Sequence, residues 1–125
     1  WVNGYNALSW TGWMRLATAT PPQEYDLPLA DGITEVHPCI YRKNQFGLVF
    51  VGGAASGDIT DGVVIATLPV GFCPTKNVER PATFVASSGT RTAGSVVVMT
   101  DGRILAYSAG EVTNVIFAAD FFATD

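Results

Sequence analysis

The stretch Val96-Val97-Val98-Met99-Thr100-Asp101-Gly102-Arg103-Ile104-Leu105-Ala106-Tyr107 decides how the chain is read. Two runs of β-branched and large apolar residues flank Asp-Gly, a dipeptide that readily takes the two positive φ values of a type I′ turn, so a β-hairpin is expected. A two-residue loop there sets Thr100 opposite Arg103, Met99 opposite Ile104, Val98 opposite Leu105 and Val96 opposite Tyr107. Side chains alternate along a strand, so Val96, Val98, Leu105 and Tyr107 would share one face and Val97, Met99, Ile104 and Ala106 the other. Both faces are apolar, more than an antiparallel sheet with one wet face requires.

The same two-sided character recurs outward from the hairpin. In Phe46 to Val51, Phe46, Leu48 and Phe50 fall on one side and Val49 and Val51 on the other; Val63 to Leu68 behaves alike. Further strands are expected at Glu35 to Lys43, where Pro38 implies an edge or a bulge, at Thr83 to Ala86, and at Asn114 to Phe122. The last segment also carries Val112, Val115, Ile116 and Ala119 at helical spacing, but the alternation Val115, Phe117, Ala119, Phe121 favours a strand. The glycine-rich Gly52-Gly53-Ala54-Ala55-Ser56-Gly57 reads as a flexible loop. Residues 1–34, with Pro21-Pro22, Pro28 and Asp31-Gly32, read as a less regular N-terminal segment, a strand plus a long loop wrapped on the rest. The fold class is therefore all-β: one domain over 1–125, an antiparallel β-sandwich of jelly-roll type.

Composition bounds the function. Only 14% of the 125 residues are charged, against about 25% in an ordinary soluble domain. Strands apolar on both faces account for the deficit if their outer faces pack on another subunit. The net charge of −4, with basic residues scattered from Arg15 to Arg103, leaves no basic stripe, so nucleic-acid and anionic-membrane binding are not expected. No run of eighteen apolar residues would span a bilayer. The start at Trp1, without Met or a signal pattern, reads as a piece of a longer polypeptide. Cys39 and Cys73 stand far apart with no metal-ligand spacing and read as buried thiols, a single bridge being the alternative.

No catalytic machinery is legible. The one histidine, His37, alternates with Glu35 onto one expected strand face, a small polar site at most, with no nucleophile signature nearby. Asp58 and Asp61 bracket Ile59-Thr60 in an expected loop. Their spacing is not that of an EF-hand, and besides turn formation their carboxylates suit acceptance from sugar hydroxyls. Arg91 lies in the polar run Ser87 to Thr92, where a guanidinium can grip a phosphate or carboxylate. Trp10 and Trp13 bracket Thr11-Gly12, and indole faces stack on the C–H surface of a sugar ring, although core or interface packing is the commoner use. Trp10, Trp13, His37, Asp58, Asp61 and Arg91 are thus the glycan-binding candidates, with no catalytic residue, metal or cofactor expected.

Over the C-terminal eighty or so residues a resemblance enters. Tyr41-Arg42-Lys43-Asn44, the strand Gly47-Leu48-Val49-Phe50-Val51-Gly52-Gly53, then Leu68-Pro69-Val70-Gly71-Phe72-Cys73-Pro74, and finally Thr100-Asp101-Gly102-Arg103-Ile104 before a terminal apolar strand resemble the head domains of receptor-binding proteins from tailed phages of Gram-positive bacteria. The Leu-Pro-x-Gly-Phe-x-Pro stretch and the Asp-Gly hairpin carry most of it; residues 1–34 match less well. The resemblance implies a β-sandwich head working as a homotrimer at the distal tail tip of the virion. Its implied partners are a bacterial surface saccharide, polysaccharide or teichoic acid, and the rest of the phage tail, with no catalysis. The rival readings are a purely structural trimerisation module and a tail-tip hydrolase or esterase built around His37.

Overall fold

In the computed structural model, which describes residues 23–108 and 112–123, the chain forms eight antiparallel strands. They are β1 (Tyr25–Asp26), β2 (Thr34–Lys43), β3 (Leu48–Ile59), β4 (Val63–Thr67), β5 (Val78–Val85), β6 (Arg91–Val98), β7 (Arg103–Tyr107) and β8 (Val112–Phe122). All belong to one sheet in the order β1-β2-β3-β8-β5-β6-β7-β4. The halves of the expected sandwich are thus two parts of one curled sheet around a common core. Its two edges are clasped by the chain that follows β1. Leu27 N–H donates to Cys39 O at 2.9 Å on β2, Ala30 N–H donates to Ile65 O at 2.9 Å on β4, and Thr67 N–H donates to Pro28 O at 3.1 Å. Polar backbone groups that an open sheet would leave at its edges are paired this way.

The core is built by alternation. Along β8, Val115, Phe117, Ala119 and Phe121 point inward while Ile116, Ala118, Asp120 and Phe122 point outward, so the strand reading holds and the helical spacing does not. Phe84, Val49, Val51, Val96, Val98 and Ile104 are fully buried against them. Each such side chain contributes about 1.5–3 kcal/mol through its removal from water.

The deciding hairpin forms, but one residue out of the expected register. Val98 pairs with Ile104, Val97 with Leu105, Val96 with Ala106 and Ser95 with Tyr107. The loop has three residues, Thr100 to Gly102: Met99 N–H donates to Arg103 O at 2.8 Å and Gly102 N–H to Met99 O at 2.9 Å. Gly102 takes positive φ, +98°, so the three-residue loop ends in a left-handed residue and stands in place of the two-residue type I′ turn. The slip regroups the faces: Val96, Val98, Ile104 and Ala106 are buried, while Val97, Leu105 and Tyr107 lie outside. The same loop closes β2–β3, through Asn44/Leu48 and Gly47, and β5–β6, through Ala86/Thr90 and Gly89.

Gly52 to Gly57 is not a loop; it is the middle of β3, paired with β2 and β8. Glycine is required there by close approach. A Cβ on Gly53 would lie 2.6 Å from both Cys39 Cα and Pro38 O, where β2 bulges around its proline. Pro38 thus sits where the sequence reading put it, in an irregular stretch of a strand next to the edge. The Pro-x-Gly turn also forms. Phe72 N–H donates to Pro69 O at 3.1 Å with Gly71 at φ +96°, and Val70 stands at the tip, 97% exposed.

The pairings set two ends. Glu24, Asn44 to Leu48, the 68–74 turn, the β6–β7 loop and the C-terminal end of β8 lie at one end, here called proximal. The 31–34, 57–62 and 86–91 segments and the start of β8 lie at the opposite, distal end. Gly102 and Gly89 make a matched pair for testing the turn geometry. Both have positive φ, +98° and +91°, but a Cβ on Gly102 would overlap Leu68 O whereas one on Gly89 meets nothing. Gly89→Ala is expected to cost about 1 kcal/mol and Gly102→Ala about 2–4 kcal/mol in urea unfolding.

Candidate functional site

The structure gathers three of the sequence candidates at the distal end. Asp58 is exposed in the last turn-ward residues of β3, just before the buried Ile59. Asp61 occupies the turn in which Val63 N–H donates to Thr60 O at 3.1 Å. Arg91 opens β6 opposite Val85, exposed, beside a loop whose Ser88 and Thr90 hydroxyls are 3.1 Å apart. Thr34 and Ser56 hydroxyls, 3.0 Å apart, add to the same polar end. Asp58 therefore lies in a strand and not, as expected, in a loop. The strand runs on because Ile59 pairs with Val112 after a bulge. Among the described residues no third His, Cys, Asp or Glu joins Asp58 and Asp61 in a metal-binding group.

His37 is exposed on β2, but it does not share a face with Glu35 as expected. The β2 bulge places Glu35 opposite Ala55 and His37 opposite Ala54, neighbours on β3 that leave opposite faces. The Glu35 carboxylate accepts from Cys39 N–H at 2.9 Å, so it serves the bulge. Trp10 and Trp13 lie outside the described residues.

A second locus was not singled out from sequence. On the outer face near the proximal end, Arg42 on β2, Phe50 on β3 and Asp120 on β8 stand in one cross-strand row. With Asn44 and Leu48 they line a cleft of about 270 Å³. The Arg42 guanidinium lies 4.5 Å over the Phe50 ring and pairs with the Glu24 carboxylate at 3.1 Å. Asn44 Oδ1 accepts from Phe46 N–H at 2.9 Å and Leu48 N–H at 3.0 Å, which fixes the turn at the rim. Arg80 reaches in from β5, donating to Asp120 O at 3.0 Å with its Nε 3.7 Å from Asp120 Oδ1. The row exists only through strand pairing, so residue spacing gives no signal for it.

A third feature is the apolar outer face of the other half-sheet. Pro81, Thr83, Ala93, Ile116 and Ala118 border a shallow groove of about 380 Å³. Val97 and Leu105 lie on the same outer side. Behind the proximal turn, Tyr41 and Phe72 meet edge-on at 4.8 Å and Lys43 Nζ donates to Gly71 O at 2.8 Å, which anchors the Leu-Pro-x-Gly-Phe motif to β2.

Electrostatics point to structural roles for the thiols. Burial, followed by the nearby Glu35 charge, pushes the Cys39 thiol up; burial and then Asp101 do the same to Cys73. Asp101 is held below the ordinary carboxylate range, first by the Arg103 backbone N–H and also by its guanidinium, whose Nε is 2.8 Å from Oδ2. Neither cysteine is in a disulfide.

Comparison with known proteins adds the fold. No protein-family model matches the chain, and no curated protein does. Among solved structures, the receptor binding protein of Listeria phage PSA is similar at 19% identity and TM-score 0.71, covering 94% of this chain and 73% of that one. The head domain of the lactococcal phage bIL170 is similar at 14% identity and TM-score 0.66, covering 83% of this chain and all of that domain. The chain has the fold of these phage heads, as the resemblance implied.

Since a raised pKa keeps a thiol protonated and unreactive, Cys39 is expected to resist a thiol-specific reagent at pH 8 in the folded protein and to react once urea unfolds it. The favourable contribution is complete below about pH 9, the ordinary thiol value, and is lost as pH rises toward the raised folded value. Labelling followed by mass spectrometry reads both.

Proposed function

We propose that the chain is the receptor-binding head of a phage tail, attaching the virion to a cell-wall glycan of its host, polysaccharide or teichoic acid, without catalysis. The observation that carries this is the fold shared over 94% of the chain with a phage receptor binding protein and over 83% with a phage receptor-binding head domain. The placement of polar groups supports it. Asp58, Asp61 and Arg91, with the Ser88 and Thr90 hydroxyls, stand exposed at the end of the sheet opposite the Leu-Pro-x-Gly-Phe turn, where they can meet a polymer together. Carboxylates accept from sugar hydroxyls and Arg91 donates to ring oxygens or phosphates. Trp10 and Trp13 remain candidates for a stacking wall, and His37 for a lateral contact.

The working unit is a homotrimer joined to the rest of the tail. The apolar outer face around Ile116, Thr83, Pro81, Ala93, Val97 and Leu105 supports this, because such a face on an isolated domain is an association surface. A low-charge strand surface then has a covering. Weak single contacts, each about 1 kcal/mol, suit a device in which several copies engage one wall and gain avidity through effective concentration.

Purified protein is expected to bind whole Gram-positive cells of its host and to be displaced by the purified wall polymer while releasing no products from it. Asp58→Ala, Asp61→Ala and Arg91→Ala should each weaken single-site binding about fivefold, the equivalent of about 1 kcal/mol. Binding that survives all three substitutions together contradicts the distal-end assignment. Sedimentation should give a particle of three times the 13.2 kDa chain mass, which Ile116→Asp reduces to a folded monomer.

A further inference from the structure

We propose that the cleft formed by Arg42, Asn44, Leu48, Phe50 and Asp120 is a subsite for a single uncharged sugar ring. This rests on the adhesion reading and extends it to a second contact area, on the outer face of β2, β3 and β8 and remote from the distal loops.

Three observations carry it. The first is the size. At about 270 Å³, the cleft lies just below the usual range of about 300–1,000 Å³ for small-molecule sites, which suits one ring and not an oligosaccharide. The second is the wall chemistry. Leu48 and the part of the Phe50 ring that the Arg42 guanidinium leaves uncovered supply apolar surface for a ring's C–H edge, flanked by a donor, that guanidinium, and an acceptor, the Asp120 carboxylate. Phe122, paired with Leu48 across β3 and β8 and 64% exposed, extends the apolar wall beyond the cleft. Gly52 lies beside this wall, where a Cβ would come within 2.9 Å of the Phe117 carbonyl oxygen and 3.1 Å of the Phe50 ring tip.

The third is charge balance with preorganisation. Arg42 is held from two sides, by Glu24 at 3.1 Å and by the Phe50 ring at 4.5 Å. Nη1 serves Glu24, and a guanidinium has further N–H donors to offer. Asp120 is steadied through its backbone carbonyl by Arg80, while the 3.7 Å between Arg80 Nε and Oδ1 is too long for a hydrogen bond. The carboxylate therefore keeps acceptor capacity for hydroxyls. Two cations, Arg42 and Arg80, face two anions, Glu24 and Asp120, so the site has no net charge. A phosphate would meet Asp120 and Glu24 as well as the arginines, which selects a neutral ring over a bare glycerol-phosphate unit.

The test is an NMR titration of the full ¹⁵N-labelled chain with neutral hexoses and N-acetylhexosamines, and with glycerol 3-phosphate as the anionic arm, run beside whole-cell attachment. At least one neutral sugar should shift the amides of Leu48, Phe50 and Asp120. Arg42→Ala and Asp120→Ala should each weaken that binding at least tenfold with an unchanged melting temperature, and Asp120→Asn should retain part of it. Shifts produced by glycerol 3-phosphate alone, or strengthened by Asp120→Ala, overturn the subsite. Cells bound by wild type and both alanine variants alike, with no cleft shifts for any sugar, overturn the subsite and leave adhesion standing. Neither shifts nor cell attachment in the wild type overturns both.

Discussion

β8 is hydrogen-bonded along both of its edges, to β3 from Leu48↔Phe122 to Ile59↔Val112 and to β5 from Ala82↔Phe117 to Val85↔Asn114. Those two ladders join β1-β2-β3 to β5-β6-β7-β4. Without them the chain would be two small sheets with exposed inner faces, neither able to bury enough apolar surface alone. The inward residues Val115, Phe117, Ala119 and Phe121 are therefore both seam and core. The second ladder is short, and where it ends Arg80 bridges the separating strands by donating to Asp120 O at 3.0 Å. That structural contact also fixes the strand carrying the Asp120 carboxylate at the outer cleft.

The clasp of residues 27–30 across β2 and β4 completes the curl and determines what is left for function. The clasp pairs part of the backbone at the β4 edge, and recognition is assigned to side chains on the ends and outer face of the sheet. The two ends differ in character. The proximal end holds exposed Phe46, Phe122 and Val70 with the Tyr41–Phe72 anchor, whereas the distal end holds Asp58, Asp61, Arg91 and paired hydroxyls. The 14% charged fraction follows from the same plan. Among the described residues much of the charge lies at ends and rims, and the outer face proposed to meet a neighbouring copy is mainly apolar, with Glu79 bound to Ser95 at its margin.

Most of the architecture was legible because it depends on period-two alternation and turn residues, both local. The strands around Val49, Val96 and Val115 and the proline-marked bulge at Pro38 emerged from residue order, while the Pro69-x-Gly71 turn came with the family resemblance. Five features did not. The hairpin register slipped because Asp101-Gly102 fits a three-residue loop as well as a type I′ turn, and the chain chose the one that lets Gly102 sit against Leu68 O. Gly52 to Gly57 looked like a loop because glycine signals backbone freedom, yet here it signals crowding by Pro38 and Cys39 on the adjacent strand. The Arg42–Phe50–Asp120 row was invisible because it joins positions eight and seventy residues apart through pairings that only the folded sheet defines. The distal grouping of Asp58, Asp61 and Arg91 was likewise a consequence of topology, while Glu35 and His37, adjacent in pattern, were parted by a bulge.

Amide hydrogen exchange on the assembled protein, with and without purified wall glycan from a strain it attaches to, tests the account at its centre. The account predicts added protection at residues 57–62 and 86–91 and around the outer cleft at 48–50 and 120, with the β8 core unchanged. Protection confined to the proximal turns at 68–72 and 100–102, or none at all under saturating glycan, would contradict it.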